Sequence, residues 1–164
     1  MKITAQEEYG LRILIRIARS EEGMTIQQLT EAEGLSSHYI AKLTRILRME
    51  GFINSTPGNK GGYVLVKPSK EIVINKVLKA LGGALYDTSF CDFHSGGLKL
   101  CANSVDCSSR SLWRMIQFTV DQLLDKITLY DLAGKETDSG NILQQLLIES
   151  NPELFKKTIA EIEG

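Results

Sequence analysis

The chain has 164 residues, of which 43% are hydrophobic and 24% charged, as in an ordinary soluble domain or a small domain with an appended arm. No apolar run approaches the roughly 18 residues that span a bilayer, and the N-terminus lacks a secretory core and cleavage site. We therefore expect a cytoplasmic protein with no membrane partner. Three cysteines are an odd number, which excludes a closed disulfide framework.

The net charge of −1 does not itself point to nucleic acid, but the distribution of charge does. Six basic residues and one acidic residue lie between positions 36 and 70, whereas acidic residues outnumber basic ones beyond position 70. A local basic patch on a nearly neutral chain concentrates its field where a polyanion can dock.

Three helices are predicted in the first 51 residues. Residues 5–20 place Tyr9, Ile13, Leu14 and Ile17 on one face at helical spacing. Thr25 and Gln28 have the form of a capping box that opens a short second helix, which ends near Gly34.

The third helix is capped by Ser36 or Ser37 and runs to about Glu50, with Gly51 at its end. Ile40, Leu43 and Leu47 are expected to face the core, while the basic residues lie largely on the opposite side. Two short helices joined by a glycine turn, the second basic on its outer face, indicate a helix-turn-helix.

Two short strands follow the third helix and complete a winged helix. The strands are predicted over 52–55 and 63–66, with the turn residues 57–62 between them. A short helix over 74–81, an irregular segment over 84–107 that holds all three cysteines, and a long helix over 108–127 come next. Thr128 caps one more turn, and the helix-start order of residues 151–153 predicts a helical tail.

The long helix carries an apolar stripe that a small domain has too little chain to bury, so a two-fold partner is the simplest cover. The stripe consists of Leu112, Met115 or Ile116, Val120, Leu123, Leu124 and Ile127, with Trp113 beside it. The predicted fold is mainly α with a small β wing. Its parts are a winged helix-turn-helix DNA-binding domain (1–83), a cysteine-containing loop (84–107), a dimerisation helix region (108–134) and a C-terminal helical tail (135–164).

The third helix is predicted to enter the major groove of double-stranded DNA, where base edges are distinguishable. Candidate contacts are Ser37, His38 and Lys42 near bases, Arg45 and Arg48 near the backbone, and Lys60 of the wing in or along the minor groove. Tyr39 either contacts a phosphate through its hydroxyl or packs. The alternative is a winged helix that binds another protein without contacting DNA.

Cys91, Cys101 and Cys107 follow the pattern Cys-x9-Cys-x5-Cys. Thiolates are soft ligands that suit iron–sulfur clusters and zinc, although both usually take four protein ligands. A set of incidental thiols and a regulatory disulfide between two of them are the alternatives. No Ser/His/Asp arrangement, phosphate loop or paired-carboxylate site is present, so we do not expect an enzyme.

The order of these elements resembles the family of bacterial regulators that includes IscR and NsrR. The resemblance covers about residues 1–133, and the most telling parts are the Gly-Gly-Tyr-x-Leu wing ending at residue 65 and the Cys-x5-Cys segment followed by Leu112-Trp113. It implies a homodimer with crossed long helices and an iron–sulfur cluster held by Cys91, Cys101 and Cys107.

The resemblance also implies a fourth ligand. This chain departs from the family's pattern at three places. The spacing from Cys91 to Cys101 is longer than usual, and the position at which some members carry a histidine ligand is Arg110, which cannot ligate iron. Other members take an acidic residue from the partner's first helix, and Glu8 sits at that place; His94 is the local competitor. The family's wing arginine near Pro57 is missing, so minor-groove contact falls to Lys60.

The sequence thus predicts a homodimeric DNA-binding transcriptional regulator of a palindromic operator. Its control would come from a 2Fe-2S or 4Fe-4S cluster that reports iron, redox state or nitric oxide. A DNA-binding regulator with a zinc site or thiol switch, and a protein-interaction module, are the alternatives.

Overall fold

A computed structural model describes residues 3–57, 61–87, 89–93, 101 and 103–150. Of Ser150 only the backbone is described. The predicted fold class is confirmed: the described chain is mainly helical and has one two-stranded sheet. Its elements are α1 (Ala5–Arg19), α2 (Ile26–Glu33), α3 (Ser37–Met49), β1 (Ile53–Ser55), β2 (Tyr63–Leu65), α4 (Ile74–Gly82), α5 (Phe90–Phe93), α6 (Ser108–Leu124), α7 (Leu129–Ala133) and α8 (Glu136–Ser150), with a 3₁₀ turn at Ser69–Glu71.

The ends of α2 and α3 follow the predicted local chemistry. The Thr25 hydroxyl accepts the Gln28 backbone N–H at 3.2 Å, and the Gln28 side chain accepts the Thr25 N–H at 2.8 Å. The Ser36 hydroxyl caps α3 by accepting the Tyr39 N–H. Gly34 ends α2 at a φ of +67°, a left-handed conformation that favours glycine.

The wing is an antiparallel pair in which Ile53 faces Leu65, and each strand is one residue shorter than predicted. The wing also pairs with the segment before α2, because the Tyr63 N–H donates to the Met24 carbonyl at 2.8 Å. A Cβ on Gly62 would lie 2.7 Å from the Met24 carbonyl carbon, so the close approach of these two backbones requires glycine.

One hydrophobic core joins the winged helix to the chain after α6. The predicted inward residues of α3 and all those of α1 except Tyr9 are buried in it, together with Val77 and Leu81 of α4, and Tyr9 packs against it half-buried. Ile127 and Leu129 enter the same core from the C-terminal side. Two backbone hydrogen bonds fix them there, from the Ile74 N–H to the Ile127 carbonyl and from the Leu129 N–H to the Ile72 carbonyl.

The C-terminal half differs from prediction in its boundaries. Helix α6 ends at Leu124, three residues early, because the chain after it turns into the core. The capping box of Thr128 with Asp131 is present. A one-turn helix, α5, lies in the segment predicted as irregular, and α8 begins at Glu136. The helix start predicted at residues 151–153 lies outside the described residues.

The apolar stripe of α6 is divided into two parts. Leu123 and Leu124 pack against the core, so the chain itself covers the C-terminal part of the predicted stripe. The N-terminal part stays open: Leu112 and Met115 are 48% and 61% exposed, and Phe118, which the predicted stripe did not include, is 63% exposed on the same helix. Among the described residues, no helix combines the length and apolarity needed to cross a membrane.

Candidate functional site

The outer face of α3 carries the residues predicted to contact DNA. Ser37, His38, Lys42, Arg45 and Arg48 are all exposed on α3, opposite the buried residues of the same helix. Within the described part of the chain, the three basic side chains form no ion pair. They therefore present unneutralised positive charge to the solvent.

Tyr39 packs against α1. Its ring meets the Tyr9 ring edge-on, with 6.2 Å between centroids, and Lys42 Nζ lies 5.9 Å from the centroid of the Tyr39 ring. Such edge-on aromatic pairs stabilise an interface beyond the area that they bury. The pair thus fixes the first turn of α3 on α1. Lys60, the predicted minor-groove contact, lies outside the described residues.

The three cysteines line one cavity of about 450 Å³ between the cysteine segment and the first turns of α6. All three are free thiols and half-buried. The rest of the described lining comprises Leu85, Tyr86, Phe90, Ser109, Arg110 and Trp113. The fold therefore gathers the predicted ligand residues around one apolar, aromatic-rich space.

Cys107 is the N-cap of α6. Its Sγ accepts the Arg110 backbone N–H at 3.3 Å, so the sulfur lies at the positive end of the helix dipole. The Arg110 guanidinium donates to the Ser104 carbonyl at 3.0 Å, which ties the loop before Cys107 to the helix. The sequence excluded Arg110 as a ligand, and the structure gives it this supporting contact in the cavity wall.

Cys91 contacts Tyr86 on the opposite side of the cavity. The Tyr86 hydroxyl lies 3.8 Å from the Cys91 Sγ, and the Tyr86 ring packs at a tilt against Phe90 with 6.2 Å between centroids. Sequence reasoning missed Tyr86, Phe90 and the role of Gln117 described below. No pattern of spacing marks them, because their contacts depend on how the segment folds onto α6.

The donor chemistry of the three thiols suits an iron–sulfur cluster or zinc. Within the described ranges, no three His, Cys, Asp or Glu side chains are gathered tightly enough to hold one metal ion. The three thiols instead surround a wider space. Three free soft donors around one apolar cavity are a donor set that such a cluster takes.

The two candidates for a fourth ligand stay predictions. Glu8 is exposed in the first turns of α1, and neither a hydrogen bond nor an ion pair joins its carboxylate to another described residue. It does not belong to the described lining of the cavity in its own chain. His94 lies outside the described residues.

Comparison with known proteins identifies the family. The model of the Rrf2 family, described as iron-dependent transcriptional regulators, matches residues 3–135. The chain belongs to the Rrf2 family. The prediction of a winged-helix transcriptional regulator related to IscR is thereby confirmed. Helix α8 lies beyond the matched region of this Rrf2 protein.

Similar proteins include other transcriptional regulators and one that is titled a cysteine regulator. The protein rrf2 of Nitratidesulfovibrio vulgaris is 33% identical over 80% of this chain and 87% of its own length. IscR of Pectobacterium carotovorum is 28% identical over 83% of this chain and 81% of its own.

Among solved structures, CymR of Bacillus subtilis, titled the global cysteine regulator, is similar with a TM-score of 0.64 and 30% identity. The match covers 81% of this chain and 96% of CymR. IscR of T. potens has a TM-score of 0.62 at 24% identity and shows the shared fold.

Proposed function

We propose that this Rrf2 protein is a homodimeric regulator that binds a palindromic DNA operator and whose affinity for DNA depends on an iron–sulfur cluster. The observation that carries the proposal is the single cavity lined by Cys91, Cys101 and Cys107. The cavity lies against α6, whose other end is continuous with the core of the winged helix. A structural change at the cysteines would therefore be transmitted through α6 to the domain that carries the DNA-binding face.

DNA contact rests on the exposed face of α3. Ser37, His38 and Lys42 lie in its first half, the part of a recognition helix that reads base edges. Arg45 and Arg48 follow on the exposed side and suit phosphate contact. Tyr39 is held against Tyr9, so its ring orients the helix, and a phosphate contact through its hydroxyl stays a prediction.

Dimerisation supplies the cover for α6 and the missing ligand. Leu112, Met115 and Phe118 form an apolar stripe that the described chain leaves open, and a second copy crossing the helix would bury it. Glu8 of one subunit would then complete the cysteine site of the other. A ligand shared between subunits makes the dimer geometry depend on the occupancy of the site.

An iron–sulfur cluster would supply sensitivity to iron supply, electrons and nitric oxide. The chain's own residues would hold it by three sulfurs, line its cavity with Leu85, Phe90 and Trp113, and direct a backbone N–H at Cys107. Hydrogen bonds and apolar surroundings are the features through which a protein sets the properties of such a group.

Anaerobic purification with iron and sulfide analysis tests the cluster. We expect a coloured protein with iron and acid-labile sulfide, and a visible spectrum that Glu8→Ala changes while the matched control Glu22→Ala does not. If the purified protein contains zinc and no sulfide, the cysteines form a zinc site. If it is metal-free and two of its cysteines are oxidised to a disulfide, they form a thiol switch. An unchanged Glu8→Ala spectrum would remove Glu8 from the ligand set.

Binding to a palindromic duplex over a range of salt concentrations tests the DNA face. Each of Lys42→Ala and Arg45→Ala should reduce the salt dependence by roughly one counterion, since each lysine or arginine that neutralises a phosphate releases one. Lys76→Ala on α4, an exposed lysine outside α3 and the wing, is the control. Equal slopes for all variants would favour the protein-interaction alternative.

A further inference from the structure

Tyr86 holds the cysteine site at two points. Its hydroxyl lies 3.8 Å from Cys91 Sγ. A phenol is a better hydrogen-bond donor than a thiol, and a thiolate can only accept, so the hydroxyl is the donor once Cys91 is deprotonated. Its backbone N–H donates to the Gln117 side-chain oxygen at 2.8 Å. One residue therefore joins the sulfur to helix α6.

The anchor on α6 continues to the winged helix. The Gln117 side-chain nitrogen donates to Asp121 Oδ1 at 2.8 Å, and the same oxygen lies 2.8 Å from Lys79 Nζ on α4. Helix α4 packs against α1 and α3. The contacts thus form a continuous polar chain from the Cys91 sulfur to the domain that carries the DNA-binding face.

We propose that Tyr86 is a positioning residue of the cysteine site: its hydroxyl donates a hydrogen bond to the Cys91 sulfur of the metal-bound form, and its link to Gln117 fixes the cysteine segment on α6. The proposal rests on the proposed function in requiring that Cys91 bind metal. It extends that function by naming a residue that tunes the site without ligating iron.

The expected effect follows from the general behaviour of outer-shell partners. Removing such a partner lowers metal affinity by about 10- to 100-fold. A hydrogen bond to a ligating sulfur also stabilises the more negatively charged, reduced state of a cluster, so its loss moves the reduction potential to lower values. A purely structural contact would change neither the potential nor the spectrum of a protein that is still folded.

The test compares Tyr86→Phe with wild type in the full chain after anaerobic reconstitution. Phenylalanine keeps the ring and the backbone N–H and removes the hydroxyl alone. We expect iron to be lost to a chelator on the order of tenfold faster, with a lower midpoint potential and unchanged DNA binding by the metal-free protein. Tyr130→Phe, an exposed tyrosine on α7, is the matched hydroxyl deletion.

A second variant tests the anchor. Gln117→Met keeps the length of the side chain and removes both the oxygen that accepts from Tyr86 and the nitrogen that donates to Asp121. It should accelerate iron loss while the thermal midpoint of the metal-free protein changes little. If Tyr86→Phe and Gln117→Met both match wild type in iron retention and potential, the proposal is overturned while the proposed function stands.

Titration of the metal-free protein with Co²⁺ alone distinguishes a failure of the proposed cluster from a failure of the proposed role of Tyr86. If wild type assembles no iron and sulfide but Tyr86→Phe binds Co²⁺ about tenfold more weakly than wild type, the cluster fails and the role of Tyr86 stands. A wild-type protein that binds neither iron nor Co²⁺ through its cysteines overturns both.

Discussion

Arg16 Nε donates a hydrogen bond to Glu33 Oε1 at 2.7 Å. The Glu33 side chain is buried at 1% exposure, whereas that of Arg16 is 43% exposed. The other carboxylate oxygen lies 2.6 Å from Arg12 Nη2 without the alignment of a hydrogen bond. Glu33 ends α2, and both arginines belong to α1. A buried charge on the helix-turn-helix is therefore neutralised by the first helix.

Arg16→Ala should destabilise the protein by about 2 kcal/mol, because a hydrogen bond to a buried charged group is lost. Arg12→Ala should also destabilise the protein, since it removes the ion pair at 2.6 Å to the other Glu33 oxygen and the cation–π contact with Tyr9. Urea unfolding at a constant m value measures both. Arg48→Ala is the control, as an exposed arginine with no described ion pair, and should stay within about 0.5 kcal/mol of wild type. Equal midpoints for the Arg16 and Arg48 variants would contradict the prediction.

Gly10→Ala should destabilise the packing of α1 on α4. A Cβ at position 10 would lie 2.4 Å from Cδ2 of the buried Leu81, so one of the helices or the leucine must shift. Overpacking of this kind costs about 1–3 kcal/mol. In α8, a Cβ on Gly140 meets nothing within 4 Å, and alanine there should stabilise by up to about 1 kcal/mol. Thermal unfolding of the two variants should shift in opposite directions.

Local sequence patterns predicted the elements that depend on local chemistry. The capping pair Thr25–Gln28, the cap at Ser36 and the buried stripe of α3 each depend on residues within a few positions of one another. For such features the side chains that decide the structure are adjacent in the sequence. The three cysteines were likewise visible as a set, because few residue types bind soft metals.

The features that the sequence did not predict depend on contacts between distant parts of the chain. Arg19 donates to the carbonyls of Ala133 and Gly134 at the end of α7, more than a hundred residues away. The contact of Tyr86 with Gln117 spans 31 residues and carries no periodicity.

Asp121→Asn should remove part of the acid sensitivity of the fold. Partial burial opposes ionisation, but polar contacts with Lys79, Asn75 and Gln117 prevail and hold the pKa of Asp121 below its ordinary value. A depressed folded-state pKa adds stability above the unfolded value, and that stability is lost as the pH falls through the folded value.

The stability difference between wild type and Asp121→Asn should therefore be full at neutral pH and vanish at strongly acidic pH. Thermal melts from neutral into acidic buffer measure it, with Asp106→Asn, an exposed loop carboxylate, as the control. A difference that stays constant across this range would contradict the shifted pKa.

Phe118→Asp should weaken self-association. The ring is 63% exposed in the open stripe of α6, next to Met115 and Leu112. A large aromatic side chain in a buried interface contributes on the order of 2 kcal/mol, or about thirtyfold in the dissociation constant, and a carboxylate there adds a cost of desolvation. Sedimentation over a range of concentrations should show dissociation at higher protein concentration than for wild type.

Val105→Asp provides the matched control for this variant, because Val105 is 94% exposed in the loop before α6 and outside the stripe. It should sediment like wild type. Since two recognition helices on one palindrome must be held at a fixed separation, the Phe118 variant should also lose affinity for a palindromic duplex while keeping that for a single half-site. Normal association of Phe118→Asp would place the dimer interface away from this face of α6.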